Sequence, residues 1–238
     1  MSEEAAAFLR ARRHPLKMVI FDCDGVLIDS EALSNRVATD MLAEAGWVMS
    51  FEECERRFIG LSFGAVQIEA EARLGRSLGR DWQAHVVARV VEVMRRDAEL
   101  VPGAREAVDA VISLGLRWRI ASNSSHAEMD AKFGRTGWTD LVAGRAHSAL
   151  DIIARGGAGK PAPDIYLAAA EAEGIAPAHC LVIEDSEAGA WAARAAGMHC
   201  LGLARHGDGA RLRKAGAILF RSMHDFPALL RAAMDAHS

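Results

Sequence analysis

Residues 17–25 read Lys17-Met18-Val19-Ile20-Phe21-Asp22-Cys23-Asp24-Gly25, an apolar run that ends in two carboxylates two positions apart and a glycine. Strand side chains two apart share a face, so a strand through Phe21 would present Asp22 and Asp24 together at its carboxyl end. In open α/β sheets, ligands bind just outside those ends. Two carboxylates so close repel one another unless a cation lies between them or one holds a proton. An ordinary Asp-Gly surface turn accounts for the pair equally well on local grounds. A calcium loop does not, because Val26, Leu27 and Leu33 stand where an oxygen ligand, a glycine and a glutamate belong.

Outward from this stretch, apolar runs of strand length recur, each followed by a helical pattern. The runs are Arg117–Ser125, His179–Ser186 and Met198–Ala204, with a weaker one at Ala215–Phe220. Helical segments are predicted at Gly103–Leu114, Ala127–Arg135, Pro163–Glu173, Glu187–Ala196 and Phe226–Ala236. Alternation of this kind predicts an α/β fold, a parallel sheet covered by helices on both faces. The alternation breaks after the first strand. Between Glu31 and Glu99 only helical periodicity is present, with Leu33, Val37, Met41 and Leu42 on one face and Trp82, Val86, Val90, Val93 and Met94 on another. A helical insert placed there would lie beside the two aspartates.

Composition narrows the class. The chain has 238 residues and a formal net charge of -4, with both signs interspersed, so nucleic acid is not an expected partner. No stretch is long and apolar enough to cross a membrane, so no membrane association is expected. The start, Ser2 to Arg13, reads as a solvated helix or extension. The cysteines Cys23, Cys54, Cys180 and Cys200 are scattered, without CxxC or zinc spacing, which predicts reduced thiols and a cytoplasmic location.

Three more signals fall at strand ends. Glu184 and Asp185 follow Leu181-Val182-Ile183, a second acidic pair able to complete a hard oxygen site for Mg²⁺. Ser122 and Asn123 follow a third strand and open a helix, where hydroxyls and free amides cradle an anion. Lys160 lies between a glycine and two prolines, one positive charge held in a stiff loop. Taken singly, Ser122–Ser125 could be helix capping and Lys160 a solvated lysine. Together they ask for an anionic substrate bridged to a cation.

The segments Asp22–Glu31, Ser122–Ser125, Gly159–Asp164 and Ile183–Gly189, in this order, resemble the four motifs of the haloacid dehalogenase (HAD) superfamily. Within it they are most similar to subfamily IA, the phosphatase and β-phosphoglucomutase-like branch with a helical cap. The resemblance implies a Rossmann-like, HAD-like core over residues 1–30 and 100–238, and a cap over 31–99. It implies that Asp22 attacks phosphorus and becomes an aspartyl-phosphate, while Asp24, carrying a proton, serves the leaving oxygen and then the water. Ser122 and Lys160 would hold the phosphoryl oxygens. Asp22, the Asp24 carbonyl, Asp185 and Glu184 would surround Mg²⁺, with Glu184 alternatively orienting Lys160. Asn123, Glu31, Arg56, Arg57 and Phe63 are the candidate substrate contacts, with Asn35 and Gln67 also on the cap and Arg205 and His206 at the mouth.

The implied activity is a Mg²⁺-dependent phosphatase acting on a small phosphorylated metabolite, a sugar, sugar-acid or polyol phosphate, by a monomeric chain. Asp24 speaks against a dehalogenase, which lacks it, and no lysine occurs between Lys17 and Lys132 to form the Schiff base of a phosphonate hydrolase. The alternative is a β-phosphoglucomutase-like isomerase, whose cap loop carries a basic pair; Ile59 and Phe63 stand at those positions here. A catalytically silent binding protein is disfavoured by the intact set Asp22, Asp24, Ser122, Lys160 and Asp185.

Overall fold

In the computed structural model, which describes residues 2–58 and 61–235, the strands form one parallel sheet. They are β1 Met18–Phe21, β2 Arg117–Ser122, β3 Ala146–Ser148, β4 Cys180–Glu184, β5 His199–Leu203 and β6 Ile218–Phe220, in the order β3-β2-β1-β4-β5-β6. The helices are α1 Glu3–Arg10, α2 Glu31–Glu44, α3 Phe51–Phe58, α4 Phe63–Leu74, α5 Trp82–Asp97, α6 Ala104–Ser113 and α7 His126–Thr136. Beyond these lie α8 Thr139–Val142, α9 Ala149–Ala154, α10 Asp164–Glu171, α11 Glu187–Ala195, α12 Ala210–Lys214 and α13 Phe226–Asp235.

The period of two explains the sheet. Val19 and Phe21 enter one apolar cluster and Met18 and Ile20 the other, as Leu181 and Ile183 part from Cys180 and Val182 on β4. All are buried, which is why these strands read as unbroken apolar runs. The chain starts in the middle of the sheet, builds β2 and β3 to one side, and returns to build β4 to β6 on the other. The carboxyl ends around β1 are therefore the point where strand order reverses, the crevice in which such sheets hold ligands.

Helices α2 to α5 occupy the insert. Val37, Met41 and Leu42, and Trp82, Val86, Val90 and Met94, are buried as the periodicity predicts, and they belong to the same apolar cluster as Val19 and Phe21. The chain enters and leaves the insert through two adjacent segments. Val101 N–H donates to the Leu27 carbonyl and Asp29 N–H to that of Glu99, each at 2.9 Å.

Three features differ from the sequence reading. Strand β3 is only Ala-His-Ser at the sheet edge, too short to show a period. Helices α8, α9 and α12 are likewise one or two turns long and carry no repeat. The amino-terminal helix is not solvated. Its Ala5, Ala6 and Leu9 share one face, are fully buried, and pack in the cluster that holds Leu229, Leu230 and Phe220. The small alanines let it approach closely. We expect Leu9→Ala to lower unfolding free energy by about 2–5 kcal/mol in denaturant titration; an unchanged midpoint would mean α1 is dispensable.

Candidate active site

Parallel pairing brings the motifs into register. Phe21 is paired with Ile120 of β2 and Ile183 of β4, so Asp22 falls beside the ends of both neighbours. Its N–H donates to the Ile183 carbonyl at 2.9 Å, which ties the aspartate into the sheet. Carboxylate oxygens of Asp22, Glu184 and Asp185 all lie within 4.8 Å of one another. Gly25, at φ 72°, makes this approach possible: a side chain there would occupy the position of the Asp185 carboxylate.

Lys160 bridges the carboxylates. Its Nζ makes a short bond to Asp22 Oδ1, donates to Glu184 Oε1 at 2.6 Å, and is fixed by the Ala121 carbonyl at 2.9 Å. Glu184 is fully buried with both oxygens occupied. Oε1 also accepts from the Tyr166 hydroxyl at 2.7 Å; Oε2 accepts from the Asp185 and Ser186 amides at 3.0 and 2.9 Å and from Ser186 Oγ at 2.8 Å. A side chain at Gly189 would displace that carboxylate. Five protein donors thus surround the Glu184 carboxylate, the Lys160 ammonium among them.

Asp24 has a separate surround. Its Oδ1 accepts from Lys132 Nζ at 2.6 Å and makes a short bond with Ser30 Oγ, while Oδ2 accepts from Ser124 Oγ at 2.9 Å and Ser122 Oγ at 3.3 Å. Burial alone would lift this carboxyl, but the charge and hydrogen bond of Lys132, with Ser30 and Ser124, hold it below its ordinary range. The repulsion posed by the sequence is met by two ammonium groups, one on each aspartate.

Those two cations leave an excess of negative charge. Asp22, Asp24, Glu184 and Asp185 face only Lys132 and Lys160 among the described groups in contact with them. Burial lifts the Asp22 carboxyl from 3.8 to about 7, against Lys160 and with the help of Glu184 and Asp24. Burial, then the charges of Glu184 and Asp22, lifts the Asp185 carboxyl well above the usual range. Hard oxygen donors with surplus charge fit a divalent cation, whose binding would draw both carboxyls back to the ionised form.

The more peripheral candidates are placed as follows. Asn123 is exposed at the rim beside Gly159, and Glu31 is exposed at the start of α2. Arg56 is exposed; Arg57 Nε donates to Glu69 Oε1 at 2.5 Å and its guanidinium lies 5.0 Å from the Trp47 ring centre, so it is engaged within the insert. Phe63 is half-buried against the main apolar cluster, Asn35 accepts from Thr39 Oγ1 through its carbonyl, and Gln67 donates to Glu71 and the Gly79 carbonyl. Arg205 pairs with Asp29 at 2.8 Å, and His206 is exposed next to it. Ile59 lies outside the described residues.

The sequence reading passed over Lys132, Tyr166, Ser30 and Ser124. Lys132 had a signal: it follows Met129 by three positions and precedes Phe133, putting a lone charge on the buried stripe of α7. Tyr166, the chain's single tyrosine, lies on the buried face of α10. The serines look like caps, and nothing local separates them from caps.

Residues 16–197 match the model of the haloacid dehalogenase-like hydrolases, and the chain belongs to that family. It is 32% identical to protein CbbY of Rhodobacter capsulatus over 193 residues, 77% of this chain and 83% of that one. It is 30% identical to hexitol phosphatase B of Escherichia coli (strain K12) over 190 residues, 76% and 81% of the two chains. A solved HAD family hydrolase of Deinococcus radiodurans R1, with bound phosphate and sodium, superimposes with a TM-score of 0.75 at 31% identity, covering 92% and 97%.

Removing one partner of a buried ion pair strands the other. We therefore expect Glu184→Gln to cost about 3–5 kcal/mol of unfolding free energy, read by urea titration; a near-neutral result would mean Lys160 is adequately held by Asp22 and Ala121.

Proposed function

We propose that the chain is a Mg²⁺-dependent phosphatase of small sugar, sugar-acid or polyol phosphates, with residues 31–99 acting as a cap over a core formed by 1–30 and 100–238. The observation that carries this reading is the buried Asp22–Lys160–Glu184 group with Asp185, at the sheet's reversal point. Family membership and the phosphatase among the relatives give the reaction class, and that relative's hexitol ester suggests the substrate class.

In this reading Asp22 and Asp185, with the main-chain carbonyl of Asp24, would hold the Mg²⁺. The ion neutralises charge between a carboxylate nucleophile and an anionic ester when bound. Asp22 Oδ attacks phosphorus in line, and the leaving oxygen takes a proton from Asp24 in its protonated form. Lys160 and Ser122 hold the phosphoryl oxygens, and Lys160 also keeps Asp22 fixed for attack. Water then hydrolyses the aspartyl-phosphate, giving up its proton to Asp24 as a carboxylate. The depressed Asp24 carboxyl matches this second form. Closure of the cap would exclude bulk water meanwhile, and its opening would release product.

The isomerase alternative needs cap cations for a second phosphate. Arg57, which could have served, is already paired with Glu69, and this weighs against that reading. A cytoplasmic, monomeric chain completes the proposal.

The test is phosphate release from a panel of hexitol, sugar and sugar-acid phosphates with Mg²⁺, with β-glucose 1-phosphate assayed for isomerisation. We expect release from one ester class, lost on EDTA treatment and reduced by several orders of magnitude in Asp22→Asn. Accumulating glucose 6-phosphate with little free phosphate would establish the isomerase instead.

A further inference from the structure

We propose that Lys132 is a positioning residue for the hydrolytic half-reaction, holding the Asp24 carboxylate that receives the proton of the attacking water. The inference rests on the phosphatase reading and assigns to this site a residue outside the four motifs.

The site contains two separate ion clusters. Lys160 serves Asp22 and Glu184 and has no bond to Asp24; Lys132 serves Asp24 and has no bond to Asp22 or Glu184. Lys132 is only 2% exposed, which excludes a solvated role. An apolar side chain would ordinarily suit the buried stripe of α7 better than an ammonium group, because desolvating the charge is expensive. The charge is directed at one carboxylate oxygen, Asp24 Oδ1 at 2.6 Å, and at one hydroxyl, Ser124 Oγ at 2.8 Å. That hydroxyl in turn donates to the other oxygen, Asp24 Oδ2, at 2.9 Å. The three groups close a triangle that fixes the plane of the carboxylate, and Ser30 adds a further donor.

The step follows from this placement. The oxygen of water bonds to phosphorus, the bond from phosphorus to Asp22 Oδ breaks, and its electron pair returns to the Asp22 carboxylate. The proton lost by water goes to Asp24. Lys132 forms and breaks no covalent bond; it keeps the accepting oxygen aimed at the water.

The phosphorylation half can be read separately with 4-nitrophenyl phosphate, whose leaving oxygen needs no proton. The burst of 4-nitrophenolate reports formation of the aspartyl-phosphate, and steady phosphate release reports its hydrolysis. In Lys132→Met we expect the burst to persist, steady release to fall about 10²-fold, and the phosphorylated chain to accumulate in intact-mass spectra. Lys132→Arg should recover part of the loss. Ser124→Ala, which keeps the buried ion pair and so the fold, should slow the same step by a smaller factor. A burst and release that fall together in these variants, or that both stay unchanged, would overturn the assignment while the phosphatase reading stands. A wild-type chain without burst or release on any ester would overturn the phosphatase reading itself, and the assignment with it.

Discussion

Four carboxylates crowded at the ends of two adjacent strands are the constraint on which this molecule is built. Left to themselves they would repel, take up protons or draw in water. Instead Lys160 spans Asp22 and Glu184, Lys132 holds Asp24, and Tyr166 with the Asp185 and Ser186 amides occupies what remains of Glu184. Buried charge is tolerated only when it is paired and fully hydrogen-bonded. Gly25 and Gly189 belong to the same arrangement, since any side chain at either would enter the space of an acidic group. The residual negative charge at Asp22 and Asp185 is what makes the site receptive to a hard cation.

The parallel sheet makes the crowding possible. Strands β1 and β4 lie in register, so residues far apart in sequence arrive at one level without any loop having to reach. Both faces of these strands are buried, and the carboxylates gather at their carboxyl ends. The two ammonium groups come from different layers, Lys132 from α7 and Lys160 from the loop before α10, and each meets a different aspartate. Asp22 and Asp24 are thereby held by independent supports, although only one residue separates them along the chain.

Much of this was legible in the sequence. The apolar runs around Val19, Ile120, Val182 and Leu201 announced buried parallel strands, with β1 and β4 apolar on both faces. The helical periodicity from Leu33 to Met94 announced the insert. Asp22, Asp24, Ser122, Glu184 and Asp185 could be listed because each terminates or follows such a run, and Lys160 because a glycine and two prolines stiffen its loop. What escaped was tertiary. Lys132 stands on a helix whose pattern is satisfied without it, and only the fold shows that its ammonium ends at Asp24. Strand β3 is held by pairing to β2 rather than by its own residues. The charges of helix α1 suggest solvation, whereas the alignment of Ala5, Ala6 and Leu9 buries one of its faces. Within the helical insert, the partner of Arg57 is Glu69, twelve positions away in sequence, where no local pattern shows it.

The paired segments at Leu27–Asp29 and Glu99–Val101 carry a mechanical consequence. Sliding one past the other would break the hydrogen bonds from Val101 to Leu27 and from Asp29 to Glu99, whereas bending the pair as a ribbon keeps both. The helices between them are held to the rest of the chain by this pairing and by the apolar faces they bury in the main cluster. Ser30, at the outer end of that ribbon, bonds to Asp24. The paired segments and the orientation of the carboxylate thereby share one mechanical link.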